Sequence, residues 1–348
     1  MSRRAVTVLV SLLLVVVFGI VGALFPVPYV TESPGPTFNT LGAIAGRQLI
    51  VVKGHPTYPT DGHLNLVTVS LNGGPGRELG LFNAIAGWLN RHTDVIPEDE
   101  VYPKGTTEQQ STQETQLEMD QSQHAATAAA LAQLGVQPKA IRIQGFVKGA
   151  PSAKTLRTGD AIARVGGSKV TTLAQLTRLV SHAVSTPGQP ITLTVVRGGK
   201  RHVVHVPTMA SPDDPKRPIV GIYLEPVWPF DVSFNLSDVG GPSAGMMFAL
   251  AIIDKLTPGD LTGGQFIAGT GEIAADGTVG AIGGIAQKMV GAHRDGARYF
   301  LAPQGNCADV RKADVPGGLQ VVKVATLKQA YADVRAIAAG HASGLPGC

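Results

Sequence analysis

The sequence is poor in charge and in aromatic rings, and it has only two cysteines. Charged residues make up 16% of its 348 residues and aromatic residues 5%. Soluble domains usually carry about 25% charged residues, so this chain is not a disordered polyelectrolyte. The apolar share of 44% leaves enough material for a hydrophobic core, and the length predicts about two domains.

Basic runs and metal-ligand spacings are also missing. The net charge is +4, and no basic run is longer than two residues, as in Arg3-Arg4, Lys200-Arg201 and Lys216-Arg217, with which aromatic residues do not interleave. This pattern gives little support to nucleic-acid binding. The nine histidines show no metal spacing, since His202 and His205 lie in a predicted strand. We expect no metal site, no cofactor and no nucleic-acid partner.

Glycine and proline are abundant, with 43 and 24 residues, which indicates a membrane segment, a turn-rich β fold, or both. Residues 5–25 carry no charge and are dense in Leu and Val. As a helix they would span about 30 Å, the thickness of a bilayer core. Arg3 and Arg4 precede this segment, so we expect a single-pass protein of the cell membrane with residues 1–4 cytoplasmic and the body extracytoplasmic. A cleaved signal peptide is the alternative.

After residue 25 the pattern alternates between strands and helices. Several prolines mark residues 26–45 as a stalk. Periodicity predicts strands at 48–53, 63–71, 141–144, 191–197, 202–206 and 229–236, and helices at 78–91, 114–134, 173–184 and 246–256. The polar residues 94–111 predict a loop, and the Pro- and Asp-containing residues 211–217 predict a linker.

Between residues 141 and 208 the pattern is one of short strands, a short helix and a Gly-Gly turn. Ala150-Pro151-Ser152-Ala153 precedes Gly159-Asp160, in the arrangement Leu-x-x-Gly-Asp-x-Ile. This segment resembles a PDZ domain of the bacterial, circularly arranged kind, which implies that it binds a peptide ligand by strand addition. A carboxylate-binding loop is not evident, and a generic small β-rich domain is the alternative.

Ser243 follows Gly241-Pro242 and directly precedes an apolar helix. Unpaired N–H groups and the positive end of the helix dipole gather at such a position, which suits the stabilisation of an oxyanion. The flanking glycines allow a substrate backbone to come close. By itself, however, the pattern is more typical of an ordinary serine that caps a helix.

A second glycine-rich block runs from Thr270 to Ile285, and Lys288 lies one turn into the helix predicted after it. A lysine among Ala, Ile and Met side chains is partly desolvated, which lowers the pKa of its ammonium group. Such a lysine can act as general base toward a serine hydroxyl. A solvated surface lysine is the alternative.

The motifs Gly-Pro-Ser-Ala-Gly, Thr-Gly-Glu-Ile and Gly-Gly-Ile-x-x-Lys occur in this order and together resemble the proteolytic domain of Lon peptidases. The resemblance continues through residues 293–296 and 301–306. It implies a Ser–Lys dyad, with Ser243 as nucleophile and Lys288 as general base. Thr270 matches the threonine that supports the lysine by hydrogen bonding.

The neighbours expected to support the oxyanion site beside the Ser243 amide are Gly241, Pro242 and Ala244. Gly240 departs from the family pattern, in which many relatives have an acidic residue at this position. Asp238 lies nearby, and the resemblance implies no role for it.

The implied fold class is α+β. It comprises a Lon-type proteolytic domain of the ribosomal protein S5 domain 2-like fold, an inserted β-rich PDZ-like domain and an N-terminal transmembrane helix. The domains are expected at 46–140 (protease, first part), 141–208 (insert), 209–228 (linker), 229–339 (protease, catalytic part) and 340–348 (tail).

Cytoplasmic members of the Lon family carry an ATPase module with a Gly-x-x-x-x-Gly-Lys-Ser/Thr loop that binds phosphate. This sequence contains no such loop. The expected function is therefore ATP-independent endopeptidase action on flexible or unfolded proteins. The expected partners are such substrates, a peptide ligand of the insert, and the lipid bilayer around residues 5–25. Assembly with identical chains stays open.

Two other functions fit parts of the pattern. Gly-x-Ser-x-Gly around Ser243 fits the nucleophile elbow of an α/β-hydrolase. The segment before it is too short for the required βα units, and only His293 and His341 follow it. A catalytically silent PDZ scaffold at the cell surface is the second alternative, and the intact Ser243 and Lys288 speak against it.

Cys307 and Cys348 are the only cysteines in the sequence. In an extracytoplasmic protein an even count suggests one disulfide, which would tie residues 340–348 to the protease domain. Two free thiols are the alternative.

Overall fold

The computed structural model describes residues 3–212, 214–237 and 239–348. Asp238 lies outside the described residues, as do Asp213 of the predicted linker and the first two residues of the predicted cytoplasmic segment. The helices of the described chain are α1 (Arg3–Leu24), α2 (Leu81–Leu89), α3 (Glu98–Val101), α4 (Glu108–Gln133), α5 (Leu173–Ala183), α6 (Gly245–Leu256), α7 (Ile285–Arg294), α8 (Cys307–Lys312) and α9 (Leu327–Ala338).

The longer strands, in chain order, are β1 (Tyr29–Asn39), β2 (Ile50–Lys53), β3 (His63–Asn72), β4 (Asp94–Pro97), β5 (Ala140–Phe146), β6 (Ala161–Val165), β7 (Pro190–Arg197), β8 (Lys200–Pro207), β9 (Ile222–Val227), β10 (Asp231–Phe234), β11 (Phe266–Gly269), β12 (Tyr299–Pro303) and β13 (Gln320–Val324). Two-residue strands lie at Pro26–Val27, Ala43–Ile44, Arg47–Gln48, Leu79–Gly80, Ser168–Lys169, Met209–Ala210, Pro218–Ile219, Glu272–Ile273 and Val279–Gly280. Short turns of 3₁₀ helix lie at Pro151–Lys154, Gln304–Asn306 and Ala342–Gly344.

The chain folds into two compact units, and the sequence of the second interrupts that of the first. The first unit comprises the residues up to 51, 57–130 and 233–348. The second, called the inserted unit here, comprises residues 52–56 and 131–232. The inserted unit therefore begins earlier and ends later than the predicted insert at 141–208.

The first unit is built on a mixed six-stranded sheet with the order β13-β12-β11-β3-β1-β4. β11 runs parallel to β3 and to β12, whereas β1 runs antiparallel to β3 and β4. The hydrophobic helix α6 is buried along its whole length, which explains its nearly continuous apolar sequence. Because the parallel strand β11 ends at Gly269, the residues that follow it lie at the carboxyl edge of the sheet.

The inserted unit contains a sheet with the order β8-β7-β6-β5-β9 and the helix α5. The buried side chains alternate along the strands, as in Ile191, Leu193 and Val195 of β7, and Leu176 of α5 is buried in the same core. This period of two is the pattern from which β7 and β8 are predicted. The Gly-Gly turn between them has both glycines at positive φ, Gly198 at 55° and Gly199 at 78°.

Three sequence-based assignments are wrong. The predicted stalk at 26–45 contains β1, whose antiparallel pairing with β3 places it inside the main sheet. The predicted linker at 209–228 contains β9, which pairs with β5. The predicted loop at 94–111 contains β4, α3 and the start of α4. In each case the prediction of a loop or linker followed from prolines or polar residues in the sequence. The strands and helices form there because their backbones pair with distant strands or their side chains pack against the rest of the unit.

The N-terminal helix α1 agrees with the predicted hydrophobic segment to within a few residues. Its span Arg3–Gly22 has a mean hydropathy of 2.9, so by length and composition it is long and apolar enough to cross a membrane. A signal sequence passes the same test. Membrane anchoring is therefore plausible, and topology stays a prediction.

Candidate active site

The loop that carries Ser243 leads into the buried helix α6, which starts two residues later at Gly245. Gly241 adopts a φ of 87°, a left-handed conformation that a residue with a Cβ rarely takes. The glycine therefore allows the sharp turn before Ser243. Because α6 is fixed in the core, the loop is attached to a rigid element.

Helix α4 holds the other side of this loop. The Gly241 N–H donates to the Thr115 carbonyl oxygen at 3.0 Å, and the Ser122 hydroxyl donates to the Pro242 carbonyl oxygen at 2.9 Å. A Cβ at Gly240 would lie 2.7 Å from Thr115 Cβ. The absence of an acidic side chain at position 240 thus has a steric basis, because α4 occupies the space that such a side chain would need.

The segment after β11 holds the backbone of Ser243 itself. The Gly271 N–H and the Thr270 hydroxyl both donate to the Ser243 carbonyl oxygen, at 2.8 and 3.0 Å. The Met246 N–H donates back to the Gly271 carbonyl oxygen at 3.0 Å. These bonds fix the direction in which the Ser243 side chain leaves its backbone.

Lys288 lies on α7, which packs on β1 and β3. The residue before this helix, Gly284, adopts a left-handed conformation. The lysine is 3% exposed and Thr270 is fully buried. Lys288 Nζ lies 2.9 Å from Ser243 Oγ and 3.3 Å from Thr270 Oγ1. Since Thr270 uses its hydroxyl proton toward Ser243, its lone pairs are available to Lys288.

Burial lowers the pKa of Lys288 from its usual value to about 8, and the carboxylates of Glu32 and Glu272 partly oppose this by favouring the ammonium form. The desolvation of a cation that lacks a direct ion pair accounts for the direction. An amine with a pKa of about 8 is a usable base near neutral pH.

Glu32 is a residue of β1, and its carboxylate faces the start of α7. A Cβ added at Gly284 would overlap one oxygen of this carboxylate. Burial raises the pKa of Glu32, Asp94 raises it further, and Lys288 opposes both. Asp94 in turn accepts a hydrogen bond from the Gln287 side chain at 2.7 Å. The charge of Glu32 therefore raises the pKa of Lys288 from a distance. Among the described residues, no carboxylate forms a salt bridge with Lys288 that would keep its amine protonated.

The backbone N–H groups of Ser243 and Ala244 have no hydrogen-bond partner within the described part of the chain. They precede the first turn of α6, where N–H groups lack intrahelical acceptors and can bind a developing oxyanion. The Gly241 N–H is already used by Thr115. Pro242 has no N–H, so its contributions are its fixed φ and the carbonyl that accepts from Ser122.

The structure brings together the residues singled out from the sequence and adds three more. Thr115, Ser122 and Glu32 touch or influence the dyad, and none of them was predicted. One signal was available for Ser122, because it lies on the inward face of α4 with Met119 and Ala126, where a polar side chain is unexpected. His293, the candidate base of the α/β-hydrolase alternative, is exposed at the end of α7.

Residues 238–335 match the family model of the Lon protease C-terminal proteolytic domain, and residues 118–208 match that of the PDZ domain. The chain carries a Lon-type serine peptidase domain. Lon protease 1 of Sorangium cellulosum is 43% identical over 94 residues, and the Lon protease of Clostridioides difficile is 46% identical over 70 residues. These alignments cover 26% and 20% of this chain, but only 11% and 9% of the relatives.

The Lon-type similarity thus concerns one domain of much longer relatives. Lon protease 2 of Sorangium cellulosum aligns over 143 residues at 27% identity, which is 39% of this chain and 18% of that protein. Among solved structures, the PDZ domain of an SdrC-like protein from Listeria monocytogenes has a TM-score of 0.21 and 18% identity, covering 24% of this chain and 86% of that domain. A solution structure from Geobacillus thermodenitrificans has a TM-score of 0.22 and 24% identity, with 24% and 95% coverage.

Proposed function

We propose that this protein is a membrane-anchored, ATP-independent serine endopeptidase that cleaves flexible or unfolded proteins outside the cytoplasm. The observation that carries the proposal is the 2.9 Å hydrogen bond between the buried Lys288 Nζ and Ser243 Oγ. A nucleophile in contact with a base of lowered pKa is the arrangement that acyl transfer requires.

In the proposed reaction, Ser243 Oγ attacks the carbonyl carbon of the peptide bond while neutral Lys288 takes the hydroxyl proton. The oxyanion that forms is stabilised by the N–H groups of Ser243 and Ala244. The Lys288 ammonium then gives its proton to the leaving amine, which breaks the C–N bond and leaves an acyl ester on Ser243. Water then gives a proton to neutral Lys288 and adds to the ester carbonyl. The C–O bond to Ser243 breaks, the Lys288 ammonium returns the proton to Ser243 Oγ, and the carboxylic acid product leaves. Thr270 keeps the lysine in line by accepting from it.

The inserted unit offers a groove for an extended peptide between α5 and β9. This groove of about 220 Å³ is lined by apolar side chains that include Leu176, Val180, Val220, Ile222 and Leu224. Within the described sheet, β9 pairs on one side only, with β5, so its other edge is open to an added strand. The loop that leads into β9, at Val220 and Gly221, is a candidate for the carboxylate-binding loop that the sequence did not reveal. We propose that this groove binds the ends of partner or substrate chains.

The test is hydrolysis of unfolded casein by the full chain in lipid nanodiscs, with products identified by mass spectrometry. We expect Ser243→Ala and Lys288→Ala each to lower the rate by roughly 10⁴-fold, since members of such a unit act together. Added ATP and magnesium should leave the wild-type rate unchanged. A control variant, Ser185→Ala, changes an exposed residue of the inserted unit that does not line the groove between α5 and β9, and it should retain full activity.

Two outcomes would contradict the proposal. Wild-type product levels in Ser243→Ala would show that another group performs the cleavage. A wild-type chain that binds peptide in the inserted unit but yields no products would favour the silent scaffold.

A further inference from the structure

Helix α2 presents an apolar face to solvent. Phe82, Ile85 and Leu89 are spaced by three and four residues, so they lie on one side of the helix. They are 49%, 42% and 84% exposed, and Trp88 at the edge of this face is 82% exposed. We call these four side chains the α2 face. An exposed cluster of large apolar residues usually marks an interaction site.

The opposite side of α2 is packed against the main sheet. A Cβ at Gly87 would lie 2.9 Å from Thr31 Cγ2 and 3.2 Å from Val95 Cγ2. The helix is therefore held on β1 and β4 through its small residue, and the large side chains point away from the sheet. The exposed apolar character of the α2 face is thus part of the folded arrangement of this unit.

α2 begins where α1 ends. A Cβ at Gly22 would lie 3.0 Å from Phe82 Cζ, and the Leu81 N–H donates to the Phe25 carbonyl oxygen at 3.1 Å. The short strands Pro26–Val27 and Leu79–Gly80 pair next to this bond. Phe82 is therefore at the level of the last turn of the hydrophobic span, which ends at Gly22.

We propose that the α2 face lies in the outer boundary between headgroups and acyl chains of the bilayer that α1 spans, as a second membrane contact. The proposal rests on the proposed anchoring by α1. Leu89 is seven residues from Phe82, which is about 10 Å along the helix. With α2 parallel to the membrane surface, all four side chains of the α2 face lie at the depth of the boundary between headgroups and acyl chains. Tryptophan is enriched there, and an interfacial helix buries its apolar side to a depth of about 5–10 Å.

The exposed Arg91 follows the helix and provides a cation for anionic headgroups. A second copy of the chain is the other occupant to consider for the α2 face. Lipid is favoured because the face continues directly from α1. Two contacts, one spanning and one lying along the surface, would fix the orientation of the first unit to the membrane.

The test uses fluorescence of Trp88 in the full chain. The sequence has two tryptophans, so Trp228→Phe leaves Trp88 as the only one. The chain is reconstituted in phosphatidylcholine and phosphatidylglycerol vesicles that carry bromine either near the head or near the end of the acyl chains. We expect blue-shifted emission that is quenched more strongly by the shallow bromine. Added Ile85→Ser and Leu89→Ser should abolish that quenching, whereas Asn83→Ser on the same helix should not.

A second measurement, extraction of the vesicles with alkaline carbonate, tests whether α1 anchors the chain independently of the α2 contact. A chain that resists extraction but shows solvent-exposed, unquenched Trp88 overturns the α2 contact and leaves the anchor intact. A chain that is extracted overturns the anchor, and the α2 contact with it. Blue-shifted but unquenched emission that reverts to exposed emission on dilution into excess vesicles would show that a second copy covers the face, which also overturns the proposal.

Discussion

At the residue scale, the central feature is Lys288, which forms no ion pair with any residue that the structure describes. Lys288 is buried, its nearest polar neighbours are the neutral hydroxyls of Ser243 and Thr270, and burial lowers its pKa to about 8. The energetic cost of burying its charge is what makes the neutral amine accessible. Glu32 and Glu272 limit this effect from a distance.

The pH dependence of peptide hydrolysis follows from that pKa. The neutral amine is the active form, so kcat/KM should rise with pH, about tenfold per unit below pH 8, and level off above it. Glu32→Gln removes a charge that favours the ammonium form, so it should move the midpoint to lower pH. Glu100→Gln on α3, whose charge is not among those that act on Lys288, should leave the midpoint in place. An upward shift in Glu32→Gln would contradict this electrostatic account.

At the element scale, α4 supports the loop that carries Ser243. It is a long helix whose N-terminal half is mostly polar, and its inward face carries Met119, Ser122 and Ala126. The serine on that face reaches the Pro242 carbonyl oxygen, 120 residues away in sequence. Thr115 adds a second, backbone contact to the same loop.

Ser122→Ala should lower kcat by about tenfold, which corresponds to roughly 1.4 kcal/mol, while KM stays nearly unchanged. The reason is that the loop loses one of its anchors and Ser243 is less well aligned with Lys288. Ser111→Ala near the start of the same helix serves as the matched control and should not change kcat. Equal losses in both variants, or a loss that follows the unfolding temperature, would point to a general effect on folding.

At the scale of the whole molecule, the C-terminal tail is bound to the first unit. Cys307 and Cys348 are joined by a disulfide in the structure. The Lys323 N–H also donates to the Pro346 carbonyl oxygen at 2.8 Å, and Arg311 donates to the Cys348 carbonyl oxygen at 3.0 Å. The tail is thus packed against α8 and β13.

Loss of this bridge should destabilise the first unit. The disulfide closes a ring with a sequence separation of 41 residues, which is worth about 4 kcal/mol in the chain-entropy model. Cys348→Ser should therefore lower the unfolding temperature by about 10 °C. Cys307→Ser should have the same effect, and the double variant no greater one. Two reactive thiols in the unreduced, denatured wild-type chain would show that the bridge is not formed.

The sequence was sufficient to predict that Ser243 and Lys288 act together and to locate most helices. It failed for strands whose composition is typical of a loop or linker. Ser243, Lys288 and Thr270 occur in ordered glycine-rich motifs, so their spacing carried the assignment. β1 was missed because its prolines are typical of a stalk, although the strand accommodates them with an irregular register near Pro34. β9 was missed because it follows a linker-like stretch and pairs with a distant strand.

By itself the sequence determined the Lon-type and PDZ-type segments and the hydrophobic N-terminal helix, and it predicted Ser243 and Lys288 as nucleophile and base, because these depend on local motifs and hydropathy. The tertiary structure alone decided that Lys288 is 3% exposed and 2.9 Å from Ser243, that α4 supports the loop, and that the α2 face is left exposed beside α1. Burial and proximity arise from the packing of segments far apart in the chain. A local pattern does not encode them, yet they set the pKa of Lys288 and the position of Ser243.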